Sequence, residues 1–256
     1  MSVSSYRHGL IALLVLLMAS CATSPTGRKQ LMLVSEDQAI AYSSQAYTDT
    51  VAGLKQEGKL VSDPAVLRRV QTITDHLVAQ AGIMRPVTRN WEWEVMVIDD
   101  PEQVNAWCMA GGKMAVYTGL MQKLNITDDE LAQVMGHEIS HALANHTAER
   151  MSVAMATSLG LGVISAASDK PEQAAALGAL AATLAIQLPN SRASETEADR
   201  IGIELAAKAG YDPRAAVTLW QKMAQAGGAN PPEFLSTHPS PANRMENLRK
   251  LAEQMM

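Results

Sequence analysis

The 256-residue sequence is poor in aromatic side chains, with one phenylalanine, five tyrosines and four tryptophans, and it holds only two cysteines. With few rings to fill a core, fifteen methionines and abundant alanine point to helices with adaptable packing. Two cysteines exclude a disulfide-stapled scaffold. Basic runs are missing, the net charge is −5 and the pI is near 5.7, so no nucleic-acid partner is expected. No internal repeat of roughly 20 to 50 residues is evident, which removes support for a solenoid.

What the sequence does have begins at its amino end. Arg7 and His8 lead an apolar run from Leu10 to Met18, closed by Ala19-Ser20-Cys21. That order reads as a signal peptide, with an apolar run too short to span a membrane. Cys21 after small residues resembles the lipobox of bacterial lipoproteins, departing from it at Met18, where leucine is usual. The resemblance implies cleavage before Cys21 and acylation of that residue. Ala22, in place of an aspartate, favours the outer membrane, with the protein facing the periplasm. Acyl chains contribute about 0.8 kcal/mol per buried methylene, so several give a stable anchor. The expected organisation is a signal peptide over 1–20, a lipid-anchored tether over 21–34 and a single domain over 35–256. Cys108 then remains as a buried free thiol.

Within that domain the periodicity predicts helices over about 35–55 and 64–82, the second with Val66, Val70, Ile73, Leu77 and Val78 as its buried stripe. Trp91–Ile98 and Lys113–Thr118 read as strands, and Asn105-Ala106-Trp107 with Gly111-Gly112 as a loop and tight turn between them. Residues 151–187 hold two apolar, Ala- and Gly-rich halves, each shorter than the roughly 20 residues needed to span hydrocarbon. A helical hairpin is expected there, with membrane contact as the competing possibility. Further helices are expected over about 192–209, 213–226 and 241–255.

The chemistry concentrates in Gly136-His137-Glu138-Ile139-Ser140-His141. Histidines at i and i+4 lie about 40° apart around a helix, so both imidazoles face one point and can share a zinc ion. Glu138 beside them can accept a proton from the attacking water. Thr127-Asp128-Asp129-Glu130 reads as a capping box that starts this helix. Catalytic zinc takes a third protein ligand. On a downstream helix Glu195 and Asp199 are i, i+4 and share a face, whereas Glu197 lies about 200° away and is expected to point elsewhere. Glu195 is thus the candidate third ligand, and Asp199 the acceptor that orients a ligand histidine.

HExxH followed by ExxxD, here with Glu195 well downstream of His141, looks like the gluzincins. The closer resemblance is to metallopeptidase family forty-eight, the group of the CAAX prenyl endopeptidases and the HtpX, Oma, BepA and LoiP proteins. It is carried by Asn105-Ala106-Trp107 with Gly111-Gly112, Val116-Tyr117-Thr118-Gly119-Leu120, the HExxH segment, Glu195–Asp199, and Thr237-His238-Pro239 with Arg244. The lipobox and short chain look most like the LoiP-type lipoproteins.

The resemblance implies a mainly α protein with a small β-sheet, an α+β gluzincin-type core. It implies one zinc held by His137, His141 and Glu195, with Glu138 as general base and Asp199 behind a ligand. Lys113, Met114, Ala115, Val116 and Tyr117 would form the sheet edge to which extended substrate adds. His238 would reach the site to assist the reaction or to block the metal. His146, five residues past His141, is expected to cap helix carbonyls. The implied activity is endopeptidase cleavage of unfolded or misassembled envelope proteins, in reach of the membrane through Cys21, with outer-membrane assembly machinery or proteases as possible partners. A chaperone-like assembly factor with a gated or rarely used site is the alternative.

Overall fold

The computed structural model describes residues 21–166, 190–226, 232–239 and 243–256. The expected signal peptide and the second half of the apolar 151–187 stretch lie outside the described residues. No described helix is long and apolar enough to cross a membrane.

The chain divides into two compact units. In the first, made of Met1–Gln38 with Thr147–Leu188, strands β1 (Cys21–Thr23) and β2 (Lys29–Leu31) pair antiparallel. The turn between them sits within the segment expected as a tether, with Gly27 at φ +91°. Arg28 donates two hydrogen bonds of 2.6 Å to Glu149, and Gln30 Nε2 donates to the same carboxylate at 2.9 Å.

The second unit, Ala39–His146 with Pro189–Met256, carries the HExxH segment and most of the core. Helices α1 (Glu36–Gln56) and α2 (Pro64–Met84) precede a three-stranded sheet of β3 (Glu94–Ile98), β4 (Ala106–Met109) and β5 (Lys113–Tyr117). Asp63 caps α2 by accepting from Ala65 N, and Pro64 fills its first turn. Successive strand side chains face opposite sides. Val97, Ala106, Cys108, Met114 and Val116 join the main core, while Met96, Ile98 and Ala115 pack with Tyr47 of α1.

The sheet order is β3-β5-β4. Lys113–Tyr117 is therefore the central strand, parallel to β3 and antiparallel to β4, and not the edge that was expected. The edge beside β5 is β4, a strand in place of the expected loop. Its flanking Asn105 and glycines are loop signals, yet Ala106 and Cys108 are buried, and that burial supports pairing.

After β5 come a short helix α3 (Thr118–Lys123), the HExxH helix α4 (Asp128–Leu143) and α5 (His146–Ala166), the last leading into the first unit. The capping box is formed as expected, Thr127 accepting from Glu130 N and the Glu130 carboxylate from Thr127 N. Helices α6 (Arg192–Lys208), α7 (Ala215–Ala226), α8 (Glu233–Thr237) and α9 (Arg244–Gln254) complete the order. Helices α4 and α6 cross where two glycines meet. A Cβ on Gly202 would stand 2.9 Å from both Cα and N of His137, and one on Gly136 would stand 3.0 Å from Gly202 O. That backbone-to-backbone approach brings the first turns of α6 to the histidines of α4.

Candidate metal centre

His137 and His141 project from α4 with their Nε2 atoms 3.1 Å apart. Glu195, from the first turn of α6, places Oε2 at 3.3 Å from His137 Nε2 and Oε1 at 3.4 Å from His141 Nε2. His238 follows α8 and presents Nδ1 at 3.3 Å from His137 Nε2 and 3.1 Å from Glu195 Oε1. Its ring stacks on Phe234, centroids 4.3 Å apart, and the backbone N–H of His238 donates to Phe234 O. All four side chains are buried, and their donor atoms lie within 4.8 Å of one another.

These spacings test whether a zinc ion fits. Four N or O donors at about 2.0–2.1 Å from one centre stand roughly 3.3–3.4 Å apart at the corners of a tetrahedron. Five separations, at 3.1–3.4 Å, fall close to those edges, Glu195 turning Oε2 to His137 and Oε1 to His141 and His238. Glu195 Oε2 is buried without a hydrogen bond among the described residues, and it faces His137 Nε2 at 3.3 Å and Arg244 Nη1 at 3.4 Å. The donor set fits zinc.

The electrostatics agree. Burial alone raises a carboxyl pKa, but the imidazoles of His137, His141 and His238 that face Glu195 hold it far below the usual carboxylate range. Burial also opposes charge on His137, yet Asp199 and Glu195 outweigh it and raise its pKa to about 9. At His141 burial prevails over Glu195, and the imidazole stays neutral well below its ordinary value.

Glu138 is buried on α4, with Oε1 at 3.4 Å from His238 Nε2. Asp199 Oδ1 lies 3.1 Å from His137 Nδ1 and accepts from Arg244 Nη2 at 2.6 Å. Arg244 is 2% exposed and stacks its guanidinium over Trp220 at 3.5 Å. Lys113 to Tyr117 take no part in this cluster. Lys113 pairs with Glu94 and Glu92, and the strand is covered on both edges. Cys21 opens β1, and Cys108 is a buried free thiol whose pKa is pushed up by burial and by the charge of Glu138.

One residue was placed elsewhere by sequence. Glu197 keeps off the ligand face, whereas His146 was expected to cap helix carbonyls. Instead His146 Nδ1 lies 2.8 Å from His141 Nδ1, and His146 Nε2 lies 3.1 Å from Glu197 Oε2. Both are buried. The expectation for His146 counted five residues on from His141 by helical period, as if α4 continued past Leu143. It stops there, Asn145 takes φ +56°, and the turn returns His146 toward His141. Asn at that point was the available signal.

A histidine pair and a glutamate from a second helix, with a glutamate base between the histidines, define a metallopeptidase centre. The family model of peptidase family M48 matches residues 64–252, and the chain belongs to that family, whose members are zinc-dependent. It is 40% identical over 156 residues to the mitochondrial metalloendopeptidase OMA1 of Arabidopsis thaliana, covering 61% of this chain and 31% of the relative. The OMA1 metalloendopeptidase of Bos taurus is 34% identical over 243 residues, 90% of this chain and 46% of the relative. The beta-barrel assembly-enhancing protease of Escherichia coli K12 is 30% identical over 214 residues, 80% of this chain and 42% of the relative. The chain spans less than half the length of these relatives.

Proposed function

We propose that the protein is a zinc metalloendopeptidase of the bacterial cell envelope, anchored through acylated Cys21 and acting on unfolded or misassembled envelope polypeptides. The observation that carries the peptidase chemistry is the buried cluster of His137, His141, Glu195 and His238, its donor atoms within 4.8 Å of one another, beside Glu138. Zinc, when bound, supplies a Lewis acid that polarises the scissile carbonyl and acidifies a water. Glu138 accepts the proton of that water and passes it to the leaving amine. Asp199, held by Arg244, orients His137.

Substrate pairs along β4. Tyr117 N donates to Asn105 O, so the antiparallel alternation turns Asn105, Trp107 and Met109 toward β5 and directs the N–H and C=O of Cys108 to the open side. An extended chain laid there forms main-chain hydrogen bonds that read little side-chain identity, which suits unfolded segments of varied sequence. The lipobox-like run ending at Cys21 supports an envelope setting, and the Escherichia coli relative is named for beta-barrel assembly.

His238 Nδ1 stands 3.3 Å from His137 Nε2 and 3.1 Å from Glu195 Oε1, as a fourth donor of the cluster, and this favours a second element of the proposal. In the conformation described here the site is closed by its own histidine, and cleavage follows withdrawal of His238. A gated peptidase of this kind also accommodates an assembly-factor role. The test is cleavage of a denatured and a folded envelope protein by the wild type and by Glu138→Gln. Selective cleavage of the denatured protein by the wild type, absent in the variant, is expected. Equal rates for the two enzymes contradict the proposal.

A further inference from the structure

We infer that Glu197 and His146 form a relay that sets which ring nitrogen of His141 is free to bind metal. The inference rests on His141 being a metal ligand, and it concerns the side chains behind that ligand.

The geometry leaves one proton arrangement for neutral rings. Glu197, as a carboxylate, only accepts, so the 3.1 Å contact requires His146 Nε2 to carry hydrogen. A neutral imidazole has a single N–H, which leaves His146 Nδ1 as an acceptor. The 2.8 Å contact between the two Nδ1 atoms then requires His141 Nδ1 to be the donor. His141 consequently keeps its lone pair on Nε2, the atom that faces His137 and Glu195. Without Glu197, His146 can turn to the other tautomer, donate from Nδ1 and force the His141 hydrogen onto Nε2, where it blocks ligation.

The surroundings make this choice stringent. His141, His146 and Glu197 are each at most 4% exposed, so water is a poor substitute for a missing partner. The turn that holds His146 is itself fastened, Arg85 Nη1 donating to Leu143 O at 3.0 Å and to Asn145 Oδ1 at 3.2 Å. His137 and His141 are thereby served by different devices from one helix. Asp199 meets His137 directly, whereas Glu197, on another side of α6, reaches His141 through an interposed imidazole. His146 and Glu197 are positioning residues and touch no reacting atom.

The experiment measures tautomers by long-range ¹H–¹⁵N correlation on the full chain, metal-free and zinc-loaded, and zinc affinity by chelator competition. Wild type is expected to show His146 as Nε2–H and His141 as Nδ1–H. Glu197→Leu should lower zinc affinity by about 10–100-fold and deplete the Nδ1–H form of His141, while Glu197→Gln, which keeps an acceptor oxygen, stays near wild type. In His146→Asn, whose amide can accept from His141 unaided, adding Glu197→Leu should cost little more. A merely structural role would make the two losses add. His146 found as Nδ1–H in the wild type overturns the relay, and that spectrum decides even if Glu197→Leu fails to fold. Unchanged affinity in Glu197→Leu, with zinc lost in His141→Ala, overturns the relay alone. Zinc retained in His141→Ala overturns the ligand assignment beneath it.

Discussion

At the scale of single residues, protons decide the behaviour of the centre. In the metal-free protein His137 holds a pKa of about 9, above its ordinary 6.5. A raised pKa stabilises the fold fully below pH 6.5, and that contribution is lost as pH rises through about 9. Zinc needs the neutral ring and expels the same proton. Metal-free melting temperature should therefore fall between pH 6.5 and 9 while apparent zinc affinity climbs. Calorimetry with and without metal across that window checks both trends, and parallel pH curves for the two forms would contradict the assignment. His238 offers a test with a sign. As a closing ligand, its removal in His238→Ala raises basal cleavage of a denatured substrate, whereas loss of an oxyanion donor would lower turnover by about 10²–10³-fold.

The legible part of the site is the part written in helical period. His137, Glu138 and His141 fall within one helix, and Glu195 and Asp199 within another, so spacing alone assigns their faces. His146 escapes that logic because it lies beyond the end of α4, where an αL asparagine reverses the chain. Glu197 escapes it because α6 is buried on more than one side, so a carboxylate off the ligand face still finds a partner in the interior.

At the scale of elements, strand order was the feature local pattern could not supply. Lys113–Tyr117 has the clearest alternation, yet alternation marks a strand and says nothing of its place in a sheet. Ala106–Met109, framed by loop signals, lies at one end of the sheet beside that central strand. The helix crossing is equally hidden in sequence, since Gly202 acquires its meaning only from the neighbour it meets. Gly202→Ala places a methyl group 2.9 Å from the His137 backbone and should destabilise the protein by about 1–3 kcal/mol while weakening zinc binding. Gly53→Ala, in α1 with nothing within 4 Å of its Cβ, should stabilise by about 0.5–1 kcal/mol. Thermal melts of both variants separate a close approach from ordinary helix propensity, and equal shifts would contradict the crossing as described.

For the whole molecule, attachment and chemistry are separable. Cys21, the proposed acylation point, begins a hairpin whose β2 end is tied to Glu149 by Arg28 and Gln30. Cys21→Ala should lose acylation and membrane fractionation while a purified soluble form keeps its zinc and its cleavage of denatured protein. Equal membrane attachment of the variant at mature size would contradict a lipid anchor. The central claim concerns the metal, and metal content of three purified proteins tests it most directly. The account predicts about one zinc per chain in the wild type, the same in Glu138→Gln, and little in Glu195→Ala, because the base is dispensable for binding and the third ligand is not. Equal zinc in Glu195→Ala and wild type, or none in the wild type, would contradict it.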